Sequence, residues 1–134
     1  MKIKTEYPPI YEKILEAGMK PNKTVLITYG DTIYNPSGEH ISDDLMVHEE
    51  THGDQQGSSP EVWWNEYFKT PKFRIDQEAE AYANQFLYFR YTTHDRNVRA
   101  RFLVLLASFL SSAMYGSVIT IPEATTLIKQ KAFL

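Results

Sequence analysis

Two of the chain's four histidines, His48 and His52, stand four residues apart in the run His48-Glu49-Glu50-Thr51-His52. On a helix that spacing puts both on one face, with Cβ atoms about 5–6 Å apart. Two imidazoles so placed reach a single ion at zinc–nitrogen distances of about 2.0–2.1 Å. Glu49 is turned roughly 100° from His48 around the helix axis. That keeps it out of the ligand set but beside a water on the ion. Zinc lowers the pKa of such a water toward ~7, and a carboxylate can then take its proton. With four histidines in 134 residues, a chance HExxH arises in roughly one such chain in a few hundred. The run therefore reads as a metal site, not as a solvated polar face.

A catalytic zinc site usually takes three protein ligands and keeps one position open. His40 and His94 have no zinc-like spacing to the pair, and Ser58 stands where a HExxHxxGxxH pattern would place its third histidine. The acidic candidates are Glu78 and Glu80, in Gln77-Glu78-Ala79-Glu80-Ala81-Tyr82. Helical phase separates them. At about 100° per residue, Glu78 shares its face with Tyr82, Gln85 and Phe89, while Glu80 falls near the opposite side. The Glu78 face is the more aromatic, and a carboxylate there needs a cation, which zinc would supply. Glu78 is the expected third ligand; Glu80 is either solvated or a partner standing behind a ligand.

The order HEETH, 25 intervening residues (53–77), then EAEAY resembles the gluzincin metallopeptidases. More narrowly it is similar to the minimal gluzincins and the ImmA/IrrE-type proteins often encoded by phages and mobile elements. The likeness covers about residues 41–89. It implies a zincin-like domain with one zinc per chain, His48 and His52 as ligands, Glu49 as base and Glu78 as third ligand. The family commonly has Asp or Asn four residues after the ligand Glu, bonded to a ligand histidine. Here that position is Tyr82, whose hydroxyl could accept the same N–H.

The elements that must carry these residues are legible from pattern. Pro8-Pro9 and Gly18 bracket a short helix, Pro9 to Gly18. Thr24 to Gly30 and Asp31 to Asn35 read as two strands joined by a hairpin. Ser42, followed by Asp43 and Asp44, caps a helix that runs through His52 and weakens at Gly53. Helices are expected from Pro60 to Lys69, from about Phe73 to Tyr91, and after Asp95 or Asn97, the last carrying Val98, Phe102, Leu105, Leu106, Phe109 and Leu110 at helical spacing. Thr120 and Glu123 fit a capping box for a final helix. The fold class is α+β, helix-dominated, one domain over 1–134, with a small N-terminal sheet and the metal between the HExxH helix and the following long helix.

Composition narrows the function. The chain has no cysteine, which removes disulfide scaffolds, Cys-type zinc fingers and iron–sulfur sites and leaves zinc to His and carboxylate ligands. A net charge of −3 argues against nucleic-acid and anionic-membrane partners. No signal peptide or membrane span is evident, so a cytoplasmic protein is expected. The leading expectation is a zinc peptidase acting on a peptide or protein substrate. The alternative is a zinc-binding interaction or regulatory module with little general peptidase activity. Tyr115 and His94 are candidate donors to the oxyanion. Gln55 reads as solvated, and only one of Trp63 and Trp64 is expected to face inward. By analogy with zincins, the strand near Thr32–Asn35 would be an edge that pairs with substrate. The apolar C-terminal tail, from Ile119 to Leu134, could fold over the cleft as a plug.

Overall fold

The computed structural model describes residues 1–134. Strands β2 (Ile27–Tyr29) and β3 (Thr32–Tyr34) form the expected hairpin, with Tyr29 opposite Thr32 across Gly30 and Asp31. Gly30 has φ 64°, the conformation a type II′ hairpin requires at its first loop position. A third strand, β1 (Lys2–Lys4), was not expected; it pairs in parallel with β3. Three exposed residues give almost no periodic signal. Its presence makes β3 the central strand, in the order β1-β3-β2. The segment Thr32–Asn35 is therefore not an edge, because β1 occupies its far side.

Six helices complete an α+β, helix-dominated architecture. Helix α1 (Tyr11–Glu16) is shorter than the Pro9–Gly18 expected. Helix α2 (Asp43–Gln56) does not weaken at Gly53 but runs on to Gly57, where φ is 56°. Gly53 serves packing instead: a Cβ there would lie 2.6 Å from the Met1 side chain and 3.3 Å from the Gly30 carbonyl. The missing side chain lets the hairpin close onto α2. Helix α3 (Pro60–Lys69) and helix α4 (Pro71–Thr92) each begin on a proline, which has no N–H to leave unbonded. Helix α5 (Arg96–Leu110) is capped by Asp95, which accepts from the amides of Asn97 at 2.8 Å and Val98 at 3.1 Å. A single 3₁₀ turn (Ala113–Tyr115) leads to helix α6 (Ile121–Lys131), opened by the reciprocal bonds of Thr120 and Glu123.

Two apolar clusters flank α2. One joins α4, α5 and α6 through Ile75, Phe86, Leu106, Leu110 and Ile128. The other joins α1, β2 and α3 through Ile14, Ile27, Trp63, Trp64 and Tyr67. The inward stripe of α5 is Leu103, Leu106, Ala107 and Leu110. Leu105 and Phe109 of the expected stripe are instead 46% and 43% exposed. The tail is no plug. Helix α6 sinks Ala124, Ile128 and Ala132 into the first cluster, while Phe133 is 95% exposed. No helix is long and apolar enough to cross a membrane.

The two expected caps differ in the structure. Asp95 bonds two amides, whereas the Ser42 side chain makes no cap bond. Asp95→Ala is expected to lower the unfolding free energy by about 1 kcal/mol, and Ser42→Ala by less than about 0.5 kcal/mol. Denaturant unfolding of the two variants checks the order.

Candidate metal centre

Helices α2 and α4 bring the expected ligands together. His48 Nε2 lies 3.1 Å from His52 Nε2 and 3.2 Å from Glu78 Oε1, and His52 Nε2 lies 3.1 Å from the same oxygen. All three residues are buried. Ligand atoms bound tetrahedrally at about 2.0–2.1 Å stand about 3.3 Å apart. The triangle is thus the right size to hold a metal ion.

Hydrogen bonds behind the ring nitrogens decide what the triangle offers. Gln85 gives its amide N–H to Asp44 Oδ2 at 2.8 Å, which leaves its carbonyl oxygen facing His48 Nδ1 at 3.0 Å. Gln55 gives its N–H groups to the Gln77 carbonyl at 2.9 Å and Glu80 Oε1 at 3.0 Å, which leaves its oxygen facing His52 Nδ1 at 2.9 Å. An amide oxygen can only accept, so each Nδ1 carries the proton and each neutral ring turns a bare Nε2 lone pair inward. Tyr67 donates to Glu78 Oε2 at 2.7 Å, which occupies that oxygen and frees Oε1. With both rings neutral, three electron-pair donors converge on one point. That is a donor set for a cation.

Without an ion the set is satisfied by a proton. Burial opposes charge on His52, but the Glu78 carboxylate outweighs it and pushes the imidazole up to about 9. Burial also opposes charge on Glu78, and the two histidines beside it overcome that and hold its carboxyl far below the usual range. Tyr67 is pushed well above its ordinary value by burial and by Glu78, so it stays a donor.

Glu49 sits beside the triangle and outside it. Its Oε2 is 3.8 Å from His48 Nε2, and its Oε1 accepts from the Thr28 hydroxyl of β2 at 3.0 Å. Burial raises its pKa, against the pull of the two histidines. A cleft of about 490 Å³ opens onto the group, walled by Ile14, Met19, Val25, Trp63, Trp64, Tyr67 and Met114 and reached by His48, Glu49, His52 and Glu78.

Several expectations need correcting. Tyr82 does not hold a ligand histidine: its ring meets the His48 ring edge-on at 4.5 Å, and its hydroxyl pairs with that of Tyr115 at 2.7 Å. Gln85, three residues further along the same face, takes that task. Gln55 is no solvated bystander, because α2 continues past Gly53 and carries it under His52. Both Trp63 and Trp64 are buried and line the cleft, since α3 is wedged between β2 and α4; their indole N–H groups bond Gln77 Oε1 at 2.7 Å and the Thr28 carbonyl at 3.1 Å. His94 is exposed between α4 and α5 and does not line the cleft, whereas Tyr115 is buried and does. Glu80 is exposed and supports Gln55. Tyr67 and Thr28 had no signal in the sequence, because neither has any fixed spacing to the histidines.

Comparison of the chain with family models, with curated proteins and with solved structures returns no match. Two outcomes follow from the geometry. Gln85→Ala is expected to weaken zinc binding by roughly 10- to 100-fold, read by competition with a chromophoric chelator. The second concerns the chelated protein and pH. The His52 value of about 9 lies above its ordinary 6.5, so protonated His52 stabilises the fold in full below 6.5, and that contribution is lost as pH rises through 9. Glu49, raised above its ordinary 4.5, works in the same direction. Glu78, held below 4.5, contributes above that value and loses its share as pH falls. The Tm of chelated protein should therefore decline between pH 6.5 and 9. Added zinc should reverse the slope, because it displaces the proton. A flat metal-free Tm over that range would contradict the assignment.

Proposed function

We propose that the chain is a zinc-dependent peptidase of the gluzincin type, with the ion held by His48, His52 and Glu78 and the proton handled by Glu49. The observation that carries the reading is the pairing of the converging His48, His52 and Glu78 side chains with a carboxylate just outside them, at the end of a cleft of about 490 Å³. When bound, zinc would supply Lewis acidity, polarising a peptide carbonyl and acidifying water.

The rest falls to the chain's own residues. Thr28 holds one oxygen of Glu49, so the other is the one free to accept a proton. Burial brings that carboxylate closer to the pKa at which a group both takes a proton and gives it back near neutral pH. Glu49 would remove a proton from the water attacking the carbonyl and return it to the leaving nitrogen. Trp63, Trp64 and Tyr67 wall the cleft and exclude water from that exchange. Of the two donors expected for the oxyanion, Tyr115 is the one that lines the cleft.

Glu49→Gln keeps size and leaves all three ligands in place. It is expected to retain stoichiometric zinc and to lower peptide hydrolysis by about 10²–10⁴-fold. Zinc content by elemental analysis and cleavage of a mixed peptide library measure the two. Hydrolysis as fast as wild type would remove Glu49 from the mechanism. Stoichiometric zinc with no hydrolysis by the wild type would favour the interaction module instead.

A further inference from the structure

We propose that Arg74 reads a carboxylate of the substrate peptide, an acidic side chain or the C-terminal carboxylate, beside the metal triangle. As a statement about substrate this rests on the peptidase reading, but the contact itself is one of binding. Arg74 lies on α4 four residues before Glu78, on the same face and about 6 Å nearer the helix start, and it lines the same cleft. Its guanidinium carbon is 5.7 Å from the centroid of the Tyr67 ring, whose hydroxyl bonds Glu78. Gly116 is also near, where a Cβ would stand 3.9 Å from Nη1. The group thus has an aromatic ring and a glycine as neighbours.

No carboxylate in the chain pairs with it. Its Nε is buried without a hydrogen-bond partner, and the ion pairs of the protein leave Arg74 out. The two carboxylates that line the cleft are already engaged, Glu78 by the histidines and Tyr67 and Glu49 by Thr28. A buried N–H without an acceptor is an unmatched desolvation cost, and an incoming acceptor removes it. The planar fork of a guanidinium matches the two oxygens of a carboxylate. Main-chain pairing offers a substrate less: the Thr28 carbonyl on β2 already accepts from Gln56 at 2.8 Å and Trp64 at 3.1 Å.

Binding to zinc-loaded Glu49→Gln protein tests this with the peptide intact, using the fluorescence of Trp63 and Trp64 in the cleft wall. The probes are two pairs: acetyl-Ala-Phe-Glu-Ala-amide against its Gln counterpart, and acetyl-Ala-Phe-Ala with a free carboxylate against its amide. The charged member of at least one pair should bind about tenfold more tightly or better, and which pair does so identifies the source of the carboxylate. Arg74→Met should abolish the difference at unchanged zinc stoichiometry. Arg74→Lys, which keeps the charge and loses the fork, should shrink it, and decides the matter if Arg74→Met does not fold. Equal affinities within both pairs, or a preference that survives either substitution undiminished, would overturn the assignment. Turnover by the Glu49 protein is judged separately. Preference without turnover removes the peptidase reading and leaves Arg74 as an anion-binding group; turnover without preference does the reverse.

Discussion

Three electron-pair donors facing one another inside a protein repel unless something positive stands among them. His48, His52 and Glu78 are in that position, and the groups behind them keep them there. The bonds from Gln85, Gln55 and Tyr67 leave the inward atoms bare. Each of these partners is held in turn, by Asp44 for Gln85 and by Gln77 and Glu80 for Gln55. The network runs outward from the buried triangle to exposed Glu80, and no imidazole can change tautomer without breaking a bond two residues away.

The same constraint explains how α2 is held. Its buried residues are His48, Glu49, Thr51, His52 and Gln56, with no aliphatic or aromatic hydrocarbon side chain among them. Met46 and Val47 are only half-buried, so polar contacts carry much of the docking of this helix. The helix is fastened at both flanks. Thr51 accepts from Asn84 on α4 at 3.0 Å, while Gln56 brackets the hairpin by accepting from the Gly30 amide at 2.6 Å and donating to the Thr28 carbonyl. Closing the hairpin this tightly is what requires glycine at position 53. Hydrocarbon burial is left to the clusters on either side, and α4 serves both roles. Its alanines 79, 81 and 83 are fully buried and allow close packing, while Glu78 and Gln85 face the site.

What could be read from sequence was whatever depends on local period. The histidine pair, Glu49 and the choice of Glu78 over Glu80 all follow from helical phase, as do the starts of α3, α5 and α6, where the cap chemistry sits within three residues. What could not be read depends on contact between distant segments. Gly53 has the local signature of a helix end, but its role is set by Met1 and Gly30. β1 is a strand only because β3 lies beside it. Trp63 and Trp64 cannot both face one side of an isolated helix, yet both are buried once β2 and α4 enclose α3. Gln85 was visible on the Glu78 face, but a glutamine becomes a histidine partner only when Asp44 turns its amide.

Placing the candidate metal triangle at the seam between two apolar clusters has an electrostatic consequence. Aromatic walls lower the effective dielectric around the site, so each charge there acts more strongly than it would at a wetted surface. Trp63 lies 5.4 Å from the His52 ring and 5.0 Å from Tyr67, which in turn separates Glu78 from Arg74. In such a setting one unpaired guanidinium can bias what the cleft accepts more than several charges on its rim, where water and salt screen them. Arg74 stands one helical turn before Glu78, so a single helix carries both a member of the candidate metal triangle and the cation without a carboxylate partner, and α4 fixes the distance between them.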